Sequence, residues 1–536
     1  MTKFESLLEN KYAQFAVLAL IFCALSACLQ YENIWDLVNY HYYAGFSFLT
    51  GRTGYDLAPS IHHSFLNPLP DVPTYVLMRA LNDYPAVYYA VAGLPAAVCV
   101  FVFLRICLLF FDFSTKEGKA LTAAALAVGA TGYGFFFQIG SSTHEIAIAA
   151  FVLTAFYFLM KALFFNENGR DFRFLLLSGF LFGAAAGLKI NAAMYCVSSG
   201  VCVLAFYKKL RRPVRQIACF AAGGLTGFAL TAGYWAYKMH ALYQNPFPPL
   251  YNTIFKSPYF ENFNYTDTVF SVGRSFWDVL TLPFAFIGYS GGDKTELSSF
   301  TEFRWAIAFV VLAAVVAARL FKRKAPQASP AAFATLFCLL SYALWAYALP
   351  VMRYTVPFEM LTGLLLVVAW RDCLPDGYFK TMGGAFALAA CLSVVFISKP
   401  QWASLPKEKV LDFAPLDLPD DTLLFFVGDP LSAYFVPEAE SKNVRAVTVS
   451  ALTPLAFRMT ETGEFANERA KIVKEHRGGH AALVRFEFFN MWEMPRMAWE
   501  IVDQSDCRPY RQPVYTNRIF LCRPAASNQY VFQDLE

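Results

Sequence analysis

Apolar runs close to the ~20 residues that cross a bilayer recur along the first ~400 positions of the chain, separated by short polar breaks. That repetition leaves few folds open. A backbone surrounded by hydrocarbon must satisfy its own hydrogen bonds, so each run is expected to be a helix. The runs fall at 14–30, 84–111, 120–137, 145–164, 174–189, 192–207, 216–237, 303–321, 331–349, 355–370 and 382–397. The expected fold class is therefore an α-helical polytopic membrane protein with about eleven transmembrane helices. Composition agrees: 16% of residues are charged and 57% hydrophobic, against about 25% charged in an ordinary soluble domain.

Basic residues set the expected orientation, because Lys and Arg are retained on the cytoplasmic side. Lys3 and Lys11, Lys116 and Lys119, Arg170 and Arg173, the cluster Lys208, Lys209, Arg211, Arg212 and Arg215, the stretch from Arg319 to Lys324, and Arg371 with Lys380 all fall on one side of the predicted spans. The N-terminus is then cytoplasmic. The first outer loop (31–83), the second large loop (239–302) and everything after Lys399 are then outside, which for a bacterial inner membrane is the periplasm. The first run has a longer apolar core than a secretory signal and no small-x-small cleavage site, so it is expected to stay as an anchor. A net charge of +4 carries no suggestion of nucleic acid; these basic residues are topological.

Beyond Ile397 the composition changes. Residues 422–428, 445–449 and 481–488 pattern as buried strands, and 467–477 and 495–503 as helices. The expected organisation is a membrane domain over 1–398 and a small periplasmic α/β domain over 399–536. Of 12 cysteines, most lie in predicted spans, where Cys is a small apolar filler. Cys507 and Cys522 lie outside, flanking a hairpin-like stretch, and an oxidising compartment would join them. No P-loop, dinucleotide fingerprint, paired-cysteine zinc pattern or internal repeat is present, which argues against ATP-driven transport and a soluble nucleotide-sugar site.

The polar residues at the outer ends of the spans come from four separate places. The first loop carries Asp36, Asn39, His41, Asp56, His62, His63, Asn67 and Asp71 among aromatics. The turn before the fourth span carries His144 and Glu145, the end of the fifth carries Lys189, and the start of the tenth carries Arg353, Tyr354 and Glu359. Each has a bland explanation. Lys189 and Arg353 are able to act as interfacial anchors, Glu145 to complement a helix dipole, and Asp36 to cap the helix that follows it. Adjacent His62 and His63 do not make a metal site, since zinc takes three or four convergent ligands, and no metal or other cofactor is expected. Cations and acids gathered at one depth on one side nevertheless favour a site over independent accidents.

The motifs WDLVNYHYY from Trp35, the Asn67–Pro68 turn, Thr143-His144-Glu145, GLKINA around Lys189 and MRYTVPFE around Arg353 occur in an order with meaning. One span, an outer loop with an early Asp, two interfacial helices, many further spans and a periplasmic α/β domain resemble the GT-C superfamily of membrane glycosyltransferases. More narrowly, the motifs resemble a bacterial family that depends on polyprenyl-phosphate sugars. The resemblance covers nearly the whole membrane portion. It implies a polyprenyl-phosphate-linked sugar donor and a glycan, lipid or protein acceptor at the periplasmic face. It also implies that the early loop acid, here Asp36, is the catalytic base; a second acid adjacent to it, which would help grip a divalent metal, is missing.

The residue types suit that chemistry. A base must take the acceptor hydroxyl's proton, and donors or positive charge must meet the phosphate as it departs. Asp36 is the expected base, acting by inverting single displacement. Arg353 and Lys189 are the expected phosphate ligands, with His144 and Tyr354 as hydrogen-bond donors, since Arg holds two phosphate oxygens at once. Asn39, His41, Asp56, Asn67, Glu145 and Glu359 are expected to orient sugar or acceptor, and Lys256, in the proline-rich loop after NPFPPLYN, to touch phosphate or acceptor. Two rivals stand beside this: an O-antigen polymerase or ligase, and a non-enzymatic lipid or glycan transporter, which would distribute polar residues on both sides of the midplane.

Overall fold

In the computed structural model, residues 10–30, 34–165, 171–263, 275–291, 299–321, 328–348, 350–373, 378–397, 408–427, 433–439, 443–448, 463–486, 502–512 and 515–524 are described. Each of the eleven apolar runs contains helix. The long ones are α1 (Lys11–Leu29), α2 (Pro85–Cys107), α3 (Lys116–Gly129), α4 (Glu145–Phe164), α5 (Asp171–Leu188), α6 (Ala193–Ala205), α7 (Pro213–Tyr243), α8 (Arg304–Phe321), α9 (Pro330–Ala348), α10 (Val356–Cys373) and α11 (Tyr378–Ile397). Among the described residues, seven stretches are long and apolar enough to cross a membrane by themselves, and the protein is a multi-pass membrane protein. One expected span is broken. Helix α3 ends at Gly129, and after a gap at Gly132 a separate short helix, Tyr133–Phe136, takes over, so 120–137 is two elements.

The chain groups into two compact units. One holds residues 1–31, 89–232 and 267–402; the other holds 32–88, 233–266 and 403–536. In the first unit the span ending in α10 is 72% enclosed by protein, whereas α1 is only 17% enclosed, so α10 is the central helix and α1 a peripheral one. Helices α5 and α7 approach through glycine. A Cβ at Gly179 would sit 2.0 Å from the Phe220 carbonyl oxygen, one at Gly183 1.9 Å from that of Gly224, and one at Gly227 2.0 Å from that of Phe180. Small residues spaced four apart let helix backbones touch where apolar burial gives no net drive.

The second unit is built on a five-stranded sheet of order β2-β1-β3-β5-β4, made of β1 (Thr422–Val427), β2 (Arg445–Thr448), β3 (Gly479–Phe486), β4 (Val502–Gln512) and β5 (Tyr515–Pro524). β1 runs parallel to β2 and β3 and every one of its side chains is buried, as a strand covered on both faces must be. The helix Gly463–Glu475 buries Phe465, Arg469, Ile472 and Val473, one stripe of a 3.6-residue period. β4 and β5 form the expected hairpin, and Cys507 and Cys522 are paired in register and disulfide-bonded. The expected helix at 495–503 is corrected at its end, where Val502 and Asp503 begin β4, while 495–501 lie outside the described residues. Val449, residues 487–488 and Lys399 also lie outside them.

The first outer loop is part of this unit. Leu57 adds to the β2 edge, its amide donating to the Ala446 carbonyl at 2.9 Å and its carbonyl accepting from the Thr448 amide at 3.1 Å, and so covers a row of groups that would otherwise template association. Asn82 receives the Val410 and Leu411 amides, each at 2.8 Å. Tyr42 donates to Glu438 at 2.6 Å, and Arg79 pairs with the same carboxylate at 3.0 Å.

Placing a large side chain between α5 and α7 tests the glycine contact. Gly183→Leu should cost about 2 kcal/mol or more of stability through overpacking, read as a lowered melting temperature in detergent. A Leu at Gly233, where the Cβ would meet nothing within 4 Å, should leave it unchanged.

Candidate functional site

The first unit brings three of the four expected groups of cations and acids into one cleft. Glu145 is the first residue of α4, where the exposed amides favour a carboxylate. It is aimed by the turn before it: His144 takes a left-handed backbone (φ 67°), and the Thr143 hydroxyl donates to the Gln138 side chain at 3.0 Å. Lys189 stands where α5 stops, in extended backbone before the single turn Ile190–Ala192. Its ammonium donates to Glu145 Oε1 and, at 2.8 Å, to the Thr143 carbonyl. Arg353 and Tyr354 lie on the short 3₁₀ turn Met352–Thr355 that leads into α10. Arg353 Nε is 3.7 Å from the same Glu145 oxygen.

Tyr354 supplies a shared face. Lys189 Nζ lies 5.6 Å and Arg353 Cζ 5.7 Å from its ring centroid, within the reach of a cation–π attraction. The Tyr195 hydroxyl fixes the Tyr354 carbonyl at 2.5 Å. Glu145, Lys189, Asn191, Tyr195, Arg353 and Tyr354 line the cleft together with apolar side chains from α4 and α6. The Glu145 side chain is 4% exposed, against 19% for Lys189 and 17% for Arg353. Lys189 and Arg353 both face the one carboxylate of Glu145. Lys189 is thus turned toward a counter-charge and is not a snorkelling anchor.

Glu359 is used elsewhere. It accepts the amides of Gly134 at 3.1 Å and Phe135 at 3.0 Å, capping the short helix Tyr133–Phe136. Beside it lies a pair that the sequence did not single out: Glu302 and Arg304 are fully buried and bonded at 2.7 Å, with Glu302 also accepting the Tyr133 amide at 3.0 Å. A charged pair at the head of an apolar run was the signal available. Together these acids hold the break after α3.

The remaining expected residues belong to the second unit. Asp36 is 3% exposed and lies inside helical backbone (φ −64°, ψ −42°) without a side-chain cap bond, so it is not the N-cap that its position suggested. Residues Leu37–His41 after it form a π-helical turn, a geometry frequent at functional sites. His41 Nδ1 is 2.5 Å from Asp71 Oδ1, and the backbone carbonyl of buried Asn39 accepts from Ser60 at 2.6 Å. His63 stacks on Tyr40 at 4.3 Å. Asp56 is a structural hub: its two oxygens receive Arg52 twice at 2.7 Å, Tyr43 at 2.7 Å and the Ala446 amide at 2.9 Å. Asn67 closes its own turn by accepting the Leu69 amide at 3.1 Å. Lys256 is exposed after the short helix Asn252–Phe255.

No family model and no curated protein matches the chain. Solved structures do. The crystal structure of ArnT from Cupriavidus metallidurans bound to undecaprenyl phosphate aligns over 96% of this chain and 98% of its own, with a TM-score of 0.53 at 12% identity. The apo structure of the same protein aligns over 95% and 97%, with a TM-score of 0.55 at 13% identity. The chain has the ArnT fold. At this identity the likeness lies in the architecture, membrane helices with a small sheet-containing region, and covers almost the whole of both chains.

Two outcomes follow for the second unit. Asp56→Asn removes the charge that neutralises Arg52 and should cost about 3 kcal/mol or more of stability, as breaking a buried pair does, with protease cutting newly admitted at 52–58. Burial first, and the neighbouring His63 second, push the His62 pKa well below 6.5. The folded state then protonates at lower pH than the unfolded chain, so its stability is complete above 6.5 and falls as pH drops below that value. His62→Gln should flatten this part of the acid limb in a pH series of unfolding midpoints.

Proposed function

We propose that this protein is a membrane glycosyltransferase of GT-C type. It takes a sugar from a polyprenyl-phosphate-linked donor and transfers it to a glycan, lipid or protein acceptor on the outer face of a bacterial inner membrane. The observation that carries this reading is the Lys189–Glu145–Arg353 cleft, two cations gathered on one carboxylate at the ends of apolar helices. Support comes from the shared architecture with a protein whose crystal structure holds undecaprenyl phosphate. In this reading the basic loops keep the N-terminus in the cytoplasm and the sheet-containing unit outside.

In this mechanism Asp36 accepts the proton of the acceptor hydroxyl as its oxygen attacks the anomeric carbon. The bond from that carbon to the phosphate oxygen breaks, and the departing phosphate keeps the electron pair. Arg353 and Lys189 meet the growing negative charge in a site with little water, where such stabilisation is strongest. One displacement inverts the anomeric centre. Tyr354 holds both cations in place, and Tyr195 holds Tyr354.

Purified protein supplied with radiolabelled polyprenyl-phosphate sugars tests the reading. Asp36→Asn should abolish transfer while donor binding persists, and Arg353→Ala should weaken donor binding by about tenfold or more, the worth of a charge-assisted phosphate contact. Equal turnover by the Asn variant would remove Asp36 from the mechanism. Donor binding unaffected by Arg353→Ala would remove the cleft.

A further inference from the structure

Gln138 is 4% exposed and has no part in the chemistry proposed above, yet its side chain lies between the supports of both cations. Its Nε2 donates to the Gly134 carbonyl and, at 3.3 Å, to the carbonyl of Arg353. Its Oε1 accepts from the Thr143 hydroxyl at 3.0 Å, and the Thr143 carbonyl in turn accepts from the Lys189 ammonium at 2.8 Å. An amide suits this place because it offers two donors at one end and an acceptor at the other. A buried amide is satisfied by partners in its own segment; Gln138 instead reaches a carbonyl 215 positions away in the sequence. Close packing makes that reach short. A Cβ on Gly134 would meet the Thr355 hydroxyl oxygen at 2.9 Å and the Met352 carbonyl oxygen at 3.2 Å, and Glu359, in the first turn of α10, accepts the Gly134 amide at 3.1 Å.

We infer that Gln138 is a positioning residue of the cleft: its one amide ties the turn bearing Arg353 to the turn that holds Lys189, and so fixes how far apart guanidinium and ammonium stand when a lipid phosphate meets them. The inference rests on the lipid-phosphate reading above and deepens it. Charge-assisted contacts to phosphate are made at about 2.7–2.9 Å, so two cations serve one phosphate only over a narrow range of separations. Arg353 precedes α10 and Lys189 follows α5, and side chains as long as these set no spacing by themselves. The Tyr195 hydroxyl holds the Tyr354 carbonyl and so fixes the Arg353 turn against α6. Gln138 fixes the same turn against the loop that leads into Glu145. Loss of either end of the amide lets one turn drift, and a displacement of about 1 Å is enough to weaken a preorganised site by about 100-fold.

Undecaprenyl phosphate titrated into folded, monodisperse full-length protein in detergent decides it. Gln138→Met, close in length and uncharged, should weaken binding about tenfold. Thr143→Val removes the hydroxyl and keeps the backbone carbonyl that Lys189 uses; it should weaken binding in the same direction, and Thr143→Ser should lose less. The double variant Gln138→Met/Thr143→Val should bind about as weakly as Gln138→Met alone, because both changes break the same link. Losses that multiply would give the two residues separate roles and overturn the inference. A merely structural Gln138 would lower the melting temperature and leave the dissociation constant of the folded fraction within about twofold of wild type, which overturns the inference and leaves the lipid-phosphate reading standing. Should Gln138→Met fail to fold, equal binding by the Val and Ser variants of Thr143 overturns it. Failure of wild type to bind the lipid overturns both.

Discussion

A charged side chain among packed apolar helices persists only next to its opposite charge, because the energy of leaving water is otherwise unrecovered. The membrane unit obeys this in two places. Glu302 and Arg304 pair with one another, and with Glu359 they tie down the backbone where α3 breaks. Lys189 and Arg353 share the single carboxylate of Glu145. The first cluster is fully enclosed and holds structure. The second lines a cleft, and the functional proposal grows from that difference.

The outer unit depends on backbone more than on charge. Leu57 extends a sheet formed by residues almost 400 positions later in the chain, and Asp56 beside it binds Arg52, Tyr43 and the Ala446 amide. The stretch carrying Asp36 and His41 is therefore anchored through its neighbours to a folded sheet, so the buried carboxylate sits on ordered helical backbone. Asn252 does similar work in the proline-rich loop, its amide donating to the carbonyls of Ser257, Phe260 and Glu261.

Much of this was legible in the chain. The apolar runs mark the helices because the bilayer thickness sets their length, and Thr143-His144-Glu145, Lys189 and Arg353 stand out because charge is rare in such a sequence. Other expected residues are engaged within the protein. Asp56, Asn67 and Glu359 were as polar and as well placed as Glu145, and their oxygens accept from Arg52, from a local turn and from a helix start. Polarity at a position does not say whether a partner has already been supplied. Asp36 looked like a helix cap and is inside helical backbone, since helix boundaries shift by a residue or two under packing.

By itself the sequence determined that this is a helical membrane protein with a sheet-containing outer region, because hydrophobic period and run length are local properties read one segment at a time. Which carboxylate faces which cation depends on residues 44 and more positions apart meeting across helices. Only the tertiary structure decided that Glu145 is shared between Lys189 and Arg353, and that the first outer loop belongs with strands near the far end of the chain. Both arise from packing between distant segments, where the choice of partner is made by geometry and not by residue type.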